Sequence, residues 1–280
     1  MSKIITGNFI NSLPEGNILL LFLNNEELCY AVADKATLTY NAFDVVKFAE
    51  GDSPLLKLKE LLNTSEILAT ANYRKVIFCS GFRKSTIVPS ALFDEQNLKQ
   101  QLGFSHELVH DDEILTDDIA TLQAVNIYAV PNTILKLLSD QYNNLEVYHS
   151  STSTITYLLA NRTEHKSKSI FVIVHEKYFE VIIIDGYQLT FYNTFSYTNN
   201  EEFVYYILFV CEQLTIDPSE TGITFSGTIT EQSEKFILIS KYFSNVSLSN
   251  RPDNFIYPDE FSILPGTFHY YLFSQLICVS

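Results

Sequence analysis

Tryptophan is absent and glycine is scarce, at 9 of 280 residues, where ordinary usage would give about twice as many. Loops that cradle phosphates need glycine for close backbone approach, so the shortage argues against most nucleotide-binding readings. Basic residues are also few. Lys and Arg number 18 against 33 Asp and Glu, a net charge of -15. A field of that sign repels nucleic-acid backbones and anionic lipid, and no local basic patch offsets it. Long apolar runs are missing too. The longest, at 18–23 and 203–211, are far too short to cross a bilayer. The opening residues Met1-Ser2-Lys3-Ile4-Ile5-Thr6-Gly7-Asn8 carry no apolar signal core. The cysteines are Cys29, Cys79, Cys211 and Cys278, widely spaced, with no CxxC pair and three of them in apolar runs. That pattern fits buried free thiols rather than a disulfide framework or a zinc site. The expectation is a cytoplasmic chain with no membrane insertion and no nucleic-acid partner.

What the sequence does contain is core. Hydrophobic residues make up 46% and charged residues 18%, with 21 Phe and 17 Tyr. A chain of this length can bury roughly three quarters of its unfolded surface, in one large domain or two modest ones.

An internal repeat organises it. At an offset of 152 residues, 17–43 falls on 169–195; Ile18-Leu19-Leu20-Leu21 meets Ile170-Phe171-Val172-Ile173, and Tyr40-Asn41-Ala42-Phe43 meets Tyr192-Asn193-Thr194-Phe195. A second anchor sets Ser80-Gly81 on Ser226-Gly227 at an offset of 146. Each copy predicts an apolar strand (17–23; 169–174), a short polar turn, a second strand (28–33; 179–184) and a third (37–43; 189–195). Asp185-Gly186 signals a two-residue hairpin in the second copy. A helix follows each third strand, at 53–69 and at 200–214, the first with Ser53 as N-cap and Pro54 at its first position. A fourth strand then ends on Ser-Gly. The unit is βββαβ, and its near-continuous apolar first strand implies cover on both faces.

Between and after the copies the pattern gives a strand at 85–90 and a helix at 93–102. A polar loop at 111–118 precedes a strand at 124–130. Next come a helix at 132–142, a strand at 145–149 and a helix at 154–160. The polar stretch 161–169 is the expected inter-lobe boundary, 230–243 looks helical, 251–266 irregular, and 268–279 packs back on the core.

This order resembles the actin-like ATPase superfamily, whose lobes are two ribonuclease-H-like βββαβ units. In detail it is similar to the type IV pilus assembly actin homologue and its cell-division relative, and to an uncharacterised Bacteroidetes family of unknown function. The segments 76–81, 86–89, 93–102 and Ile127-Tyr128-Ala129-Val130-Pro131 stand where those relatives place a returning strand, a short strand and an inserted subdomain. The resemblance implies an α/β fold of two tandem lobes, 1–160 and 161–280, with a small subdomain inserted in the first at about 83–130. It also implies phosphate-gripping hairpins carrying Asp and glycine. Here those turns read Leu23-Asn24-Asn25-Glu26-Glu27 and His175-Glu176-Lys177-Tyr178-Phe179, without glycine and with three carboxylates that would repel a phosphate.

The chemical motifs are thin. His106-Glu107-Leu108-Val109-His110 has the spacing of a zinc-hydrolase helix, yet Gly103-Phe104-Ser105 interrupts the preceding helical pattern. Asp111, Asp112, Glu113, Asp117 and Asp118 could hold a divalent cation, but their spacing reads better as a solvated charge run. Cys79 reads as core and His175 as a turn residue. The expectation is therefore a non-catalytic protein-binding or scaffold module, with no catalytic, cofactor or metal residues assigned. A divergent nucleotide-binding ATPase or kinase is the alternative, and an HExxH zinc hydrolase the remote one.

Overall fold

The computed structural model describes residues 5–6, 16–161 and 168–278. The chain divides into two compact units. The first holds Met1–Tyr157 with Asn254–Ser262 and Ser274–Ser280; the second holds Leu158–Asp253 with Ile263–Phe273.

The first unit opens with β1 (Ile5–Thr6), β2 (Asn17–Leu23), β3 (Glu27–Asp34) and β4 (Thr39–Lys47). Helices α1 (Pro54–Thr64) and α2 (Glu66–Ala69) and strand β5 (Lys75–Ser80) follow. The insertion comprises β6 (Ser85–Pro89), a 3-10 turn at Glu95–Asn97, α3 (Leu98–Gly103), β7 (Asp112–Ile119) and β8 (Ala124–Pro131). Then come α4 (Asn132–Gln141), β9 (Leu145–His149) and α5 (Ser150–Ala160), whose last residues pass into the second unit. That unit contains β10 (Ser169–Val174), β11 (Tyr178–Asp185), β12 (Gln188–Ser196), α6 (Asn200–Gln213), β13 (Gly222–Gly227), α7 (Glu234–Ile239), β14 (Val246–Leu248) and α8 (Tyr270–Phe273). The described chain ends in α9 (Gln275–Cys278).

The two large sheets share one topology. Their orders are β1-β4-β3-β2-β5-β9 and β12-β11-β10-β13-β14. In each, the first three strands of the repeat are antiparallel and the first pairs in parallel with the fourth. All seven residues of β2 are buried, as an apolar strand covered on both faces requires. Leu19, Leu21 and Leu23 pack against Leu58 and Leu62 of α1 and Ile134 and Leu138 of α4. In the second unit Val172 and Val174 pack with Phe203, Ile207 and Val210 of α6.

The duplication is present, but the residues that signalled it are not the equivalent ones. The Asn24 amide bonds the Glu27 carbonyl, and the His175 amide bonds the Tyr178 carbonyl, so the turns correspond at an offset of 151. The β-bulges agree, falling between Val32 and Ala33 in one copy and Ile183 and Ile184 in the other. Beyond them the loop Lys35–Leu38 has shrunk to Gly186-Tyr187, and Tyr40 corresponds to Leu189. The matching Tyr-Asn-x-Phe stretches therefore lie three residues out of step. Ser80 likewise corresponds to Gly227, each being the strand partner of its turn's preceding residue, Leu23 or Val174. Gly186, at φ +57°, is the first of the two loop residues, the pattern of a type II′ turn.

Other expectations shift. The helix at 53–69 breaks at Ser65, whose hydroxyl accepts the Leu68 amide and caps α2. The helical reading of 93–102 holds only from Leu98, and that of 230–243 only for Glu234–Ile239. The expected loop at 111–118 is the edge strand β7, paired with β8 from Asp112 to Ile119. Exposed polar residues such as Glu113, Thr116 and Asp118 are ordinary on an edge strand, whose outer side meets water. Part of the polar stretch 161–169 and the end of 268–279 lie outside the described residues.

Candidate functional site

The hairpin that follows β2 stands where the resemblance puts a phosphate grip. Asn24 is buried, and its Oδ1 accepts the Glu26 amide at 2.7 Å and the Glu27 amide at 2.8 Å. This is an Asx turn: a side-chain oxygen takes the backbone donors that an anion would need. The carboxylates of Glu26 and Glu27 belong to the same turn. Gly81 beside it is required by packing, because a Cβ there would lie 2.4 Å from the Phe22 ring.

The turn after β10 is closed by other means. His175 is buried, and its Nε2 lies 3.0 Å from Glu180 Oε1. The Tyr192 hydroxyl donates to the other Glu180 oxygen at 3.0 Å, and the Tyr197 hydroxyl donates to the His175 carbonyl at 2.6 Å. The imidazole stacks on Tyr178 with centroids 4.1 Å apart. His175 is thus more than a turn residue: it anchors a buried imidazole–carboxylate–phenol chain. Gly227 is also structural, for a Cβ there would sit 2.1 Å from the Val174 carbonyl oxygen.

The motif at 106–110 is not helical. It lies in turn and coil after α3, so the spacing that would bring His106 and His110 to one face does not operate. The His106 ring bonds the Ser85 backbone, with Nε2 3.0 Å from the carbonyl oxygen. The acidic run does not converge either. Asp111 accepts from the Thr133 hydroxyl, Asp112 pairs with Lys84, and Asp117 turns inward. Cys29, Cys79 and Cys211 are buried free thiols, and burial pushes the Cys211 thiol up to about 11.

Asp117 is the residue that sequence reasoning misjudged. One oxygen accepts the Tyr128 hydroxyl at 2.9 Å and the other the His149 amide at 2.8 Å. Desolvation pushes its carboxyl up to about 6 despite those donors and a bond from Thr152. It borders a pocket of about 540 Å³ between β7 on one side and β9 and α5 on the other, which also contains Asp118, Glu146 and Thr156. An adjoining pocket of about 590 Å³ shares Thr116 and Val147 with it and contains Ile114, Leu115, Leu135 and Leu145. The two form one groove, bordered by strands that are each the edge of their sheet.

Comparison with known proteins agrees with this fold. A crystal structure from Bacteroides thetaiotaomicron, described as a protein with actin-like ATPase fold and unknown function, superimposes with a TM-score of 0.81 at 18% identity, covering 95% of this chain and 97% of that one. The PilM–PilN type IV pilus biogenesis complex gives a TM-score of 0.64 at 10% identity, covering 95% and 99%. The ethanolamine utilization protein EutJ from Carboxydothermus hydrogenoformans gives 0.50 at 8%, covering 95% and 91%. No curated protein matches. Among the described residues no helix is long and apolar enough to cross a membrane. The sequence model of one family, a protein of unknown function designated DUF3822, matches residues 8–246, and the chain belongs to that family, built on the actin-like ATPase fold.

Proposed function

We propose that this is a non-catalytic member of the actin-like fold that binds an extended segment of another protein. The observation that carries the reading is the Asx turn at Asn24: the amides of Glu26 and Glu27 are held by a side chain, in a turn bearing two carboxylates. Phosphoryl transfer relies on backbone donors at that place, and here the Asn24 side chain occupies them. The lobe boundaries at 160 and 161, the inserted subdomain at about 83–130 and a cytoplasmic location belong to the same reading. Buried free thiols support the last.

The groove between β7 and β9 supports the binding half. Edge strands offer main-chain groups, and pockets alongside receive side chains. The pilus relative was captured with a partner protein, a precedent for a partner here. Titration calorimetry with ATP and magnesium tests the proposal, together with a phosphate-release assay. No heat and no release are expected. Micromolar binding or turnover would transfer the chain to the nucleotide-binding class. Affinity purification followed by mass spectrometry supplies the partner.

A further inference from the structure

We propose that the groove between β7 and β9 selects a segment presenting a lysine or arginine side chain. This rests on the docking reading above and adds the chemistry of the ligand. The pocket of about 540 Å³ has Asp117, Asp118 and Glu146 on its walls, with the hydroxyl-bearing Thr116, Thr152 and Thr156, and among the described residues no lysine or arginine lines it. Glu146 is partly neutralised by Lys75 at 2.8 Å and accepts the Tyr148 hydroxyl. Asp117 is nearly buried, with both oxygens bonded to its own fold. Asp118, next along the strand, is exposed. The negative field of the pocket is therefore fixed by the protein, and Asp118 offers the open acceptor.

The adjoining pocket is of another kind. Ile114, Leu115, Leu135, Leu145 and Val147 give it an apolar stretch, while Glu113, Asn132, Lys136 and Ser139 also line it, its charges being one of each sign. A side chain running from this half into the acidic half needs an apolar stem and a cationic tip, which lysine and arginine possess. A free metal ion would use the carboxylates and leave the apolar half empty; an acidic side chain would be repelled. Complementary charge of this kind governs partner choice and encounter rate.

Fluorescence anisotropy with the full chain is the test. Three pools of labelled nonapeptides share aliphatic residues at alternate positions and differ only at the centre: lysine, norleucine or glutamate. The lysine pool is expected to bind about tenfold more tightly than the norleucine pool, with the glutamate pool weakest and the difference shrinking as salt is raised. Asp118→Asn, an exposed change, is expected to remove most of the lysine preference and leave norleucine binding unchanged. Equal binding of the lysine and norleucine pools overturns the cationic preference while the docking reading stands. Binding by none of the pools overturns both. A lysine preference that survives Asp118→Asn overturns the assignment to this pocket.

Discussion

Asp117 shows what one buried carboxylate does to the whole chain. Burial raises its carboxyl to about 6, and the Asp118 charge adds to the rise. Its folded value lies above the unfolded one of roughly 4, so the folded state holds the proton more tightly. Stability from this group is present at low pH and is lost as pH rises from about 4 to about 6, at up to ~1.4 kcal/mol per pH unit. Asp117→Asn removes the titration and can still accept the His149 amide. Urea midpoints of the two proteins measured across pH 4–7 are expected to diverge, the wild type losing ground as pH rises; parallel curves would refute the raised pKa. Glycine acts at the same scale. Gly227 has φ +84° and no space for a Cβ, whereas Gly186 has φ +57° and open space around it. Gly227→Ala is expected to cost roughly 2 kcal/mol or more, and Gly186→Ala about 1. Equal losses in chemical denaturation would mean that the Val174 carbonyl moves aside.

Elements were legible to different degrees, for physical reasons. Strand order came through because β2, β3, β10 and β11 are mostly apolar and almost wholly buried, and polar turns separate them. The same property hid the register. A strand buried on both faces carries no alternation, so a one-residue slip between copies leaves the apolar match intact. Tyr-Asn-x-Phe then looked equivalent although a shorter loop displaces it. The capping signal at α1 was local and therefore readable: Ser53 Oγ accepts the Leu56 amide, and Pro54 leads the helix. Ser53→Ala is expected to cost about 1 kcal/mol, read from thermal or urea unfolding. The groove was not readable. Its acidic half joins Asp117, Glu146 and Thr156, brought together from β7, β9 and α5, and in the sequence the first of them looked like one member of a solvated charge run.

Across the whole molecule, the units do not follow the order of the chain. The stretch Asn254–Ser262 belongs to the first unit, where Phe255 and Tyr257 lie 5.3 and 5.2 Å from the Tyr40 ring and Phe261 lies 5.9 Å from Phe43. A chain ending at residue 253 is expected to lose several kcal/mol of stability, since uncovering even one large aromatic costs about 3–5. Proteolysis should then attack 17–47 first, as hydrogen exchange or mass spectrometry of the fragments would show; an unaltered first unit would contradict the pairing. This membership bears on synthesis. Strand β4 cannot complete its aromatic packing until more than two hundred further residues have been translated. During that interval the contacts of Tyr40 and Phe43 with Phe255, Tyr257 and Phe261 are unmade, so slowing elongation between residues 47 and 255 should raise aggregation.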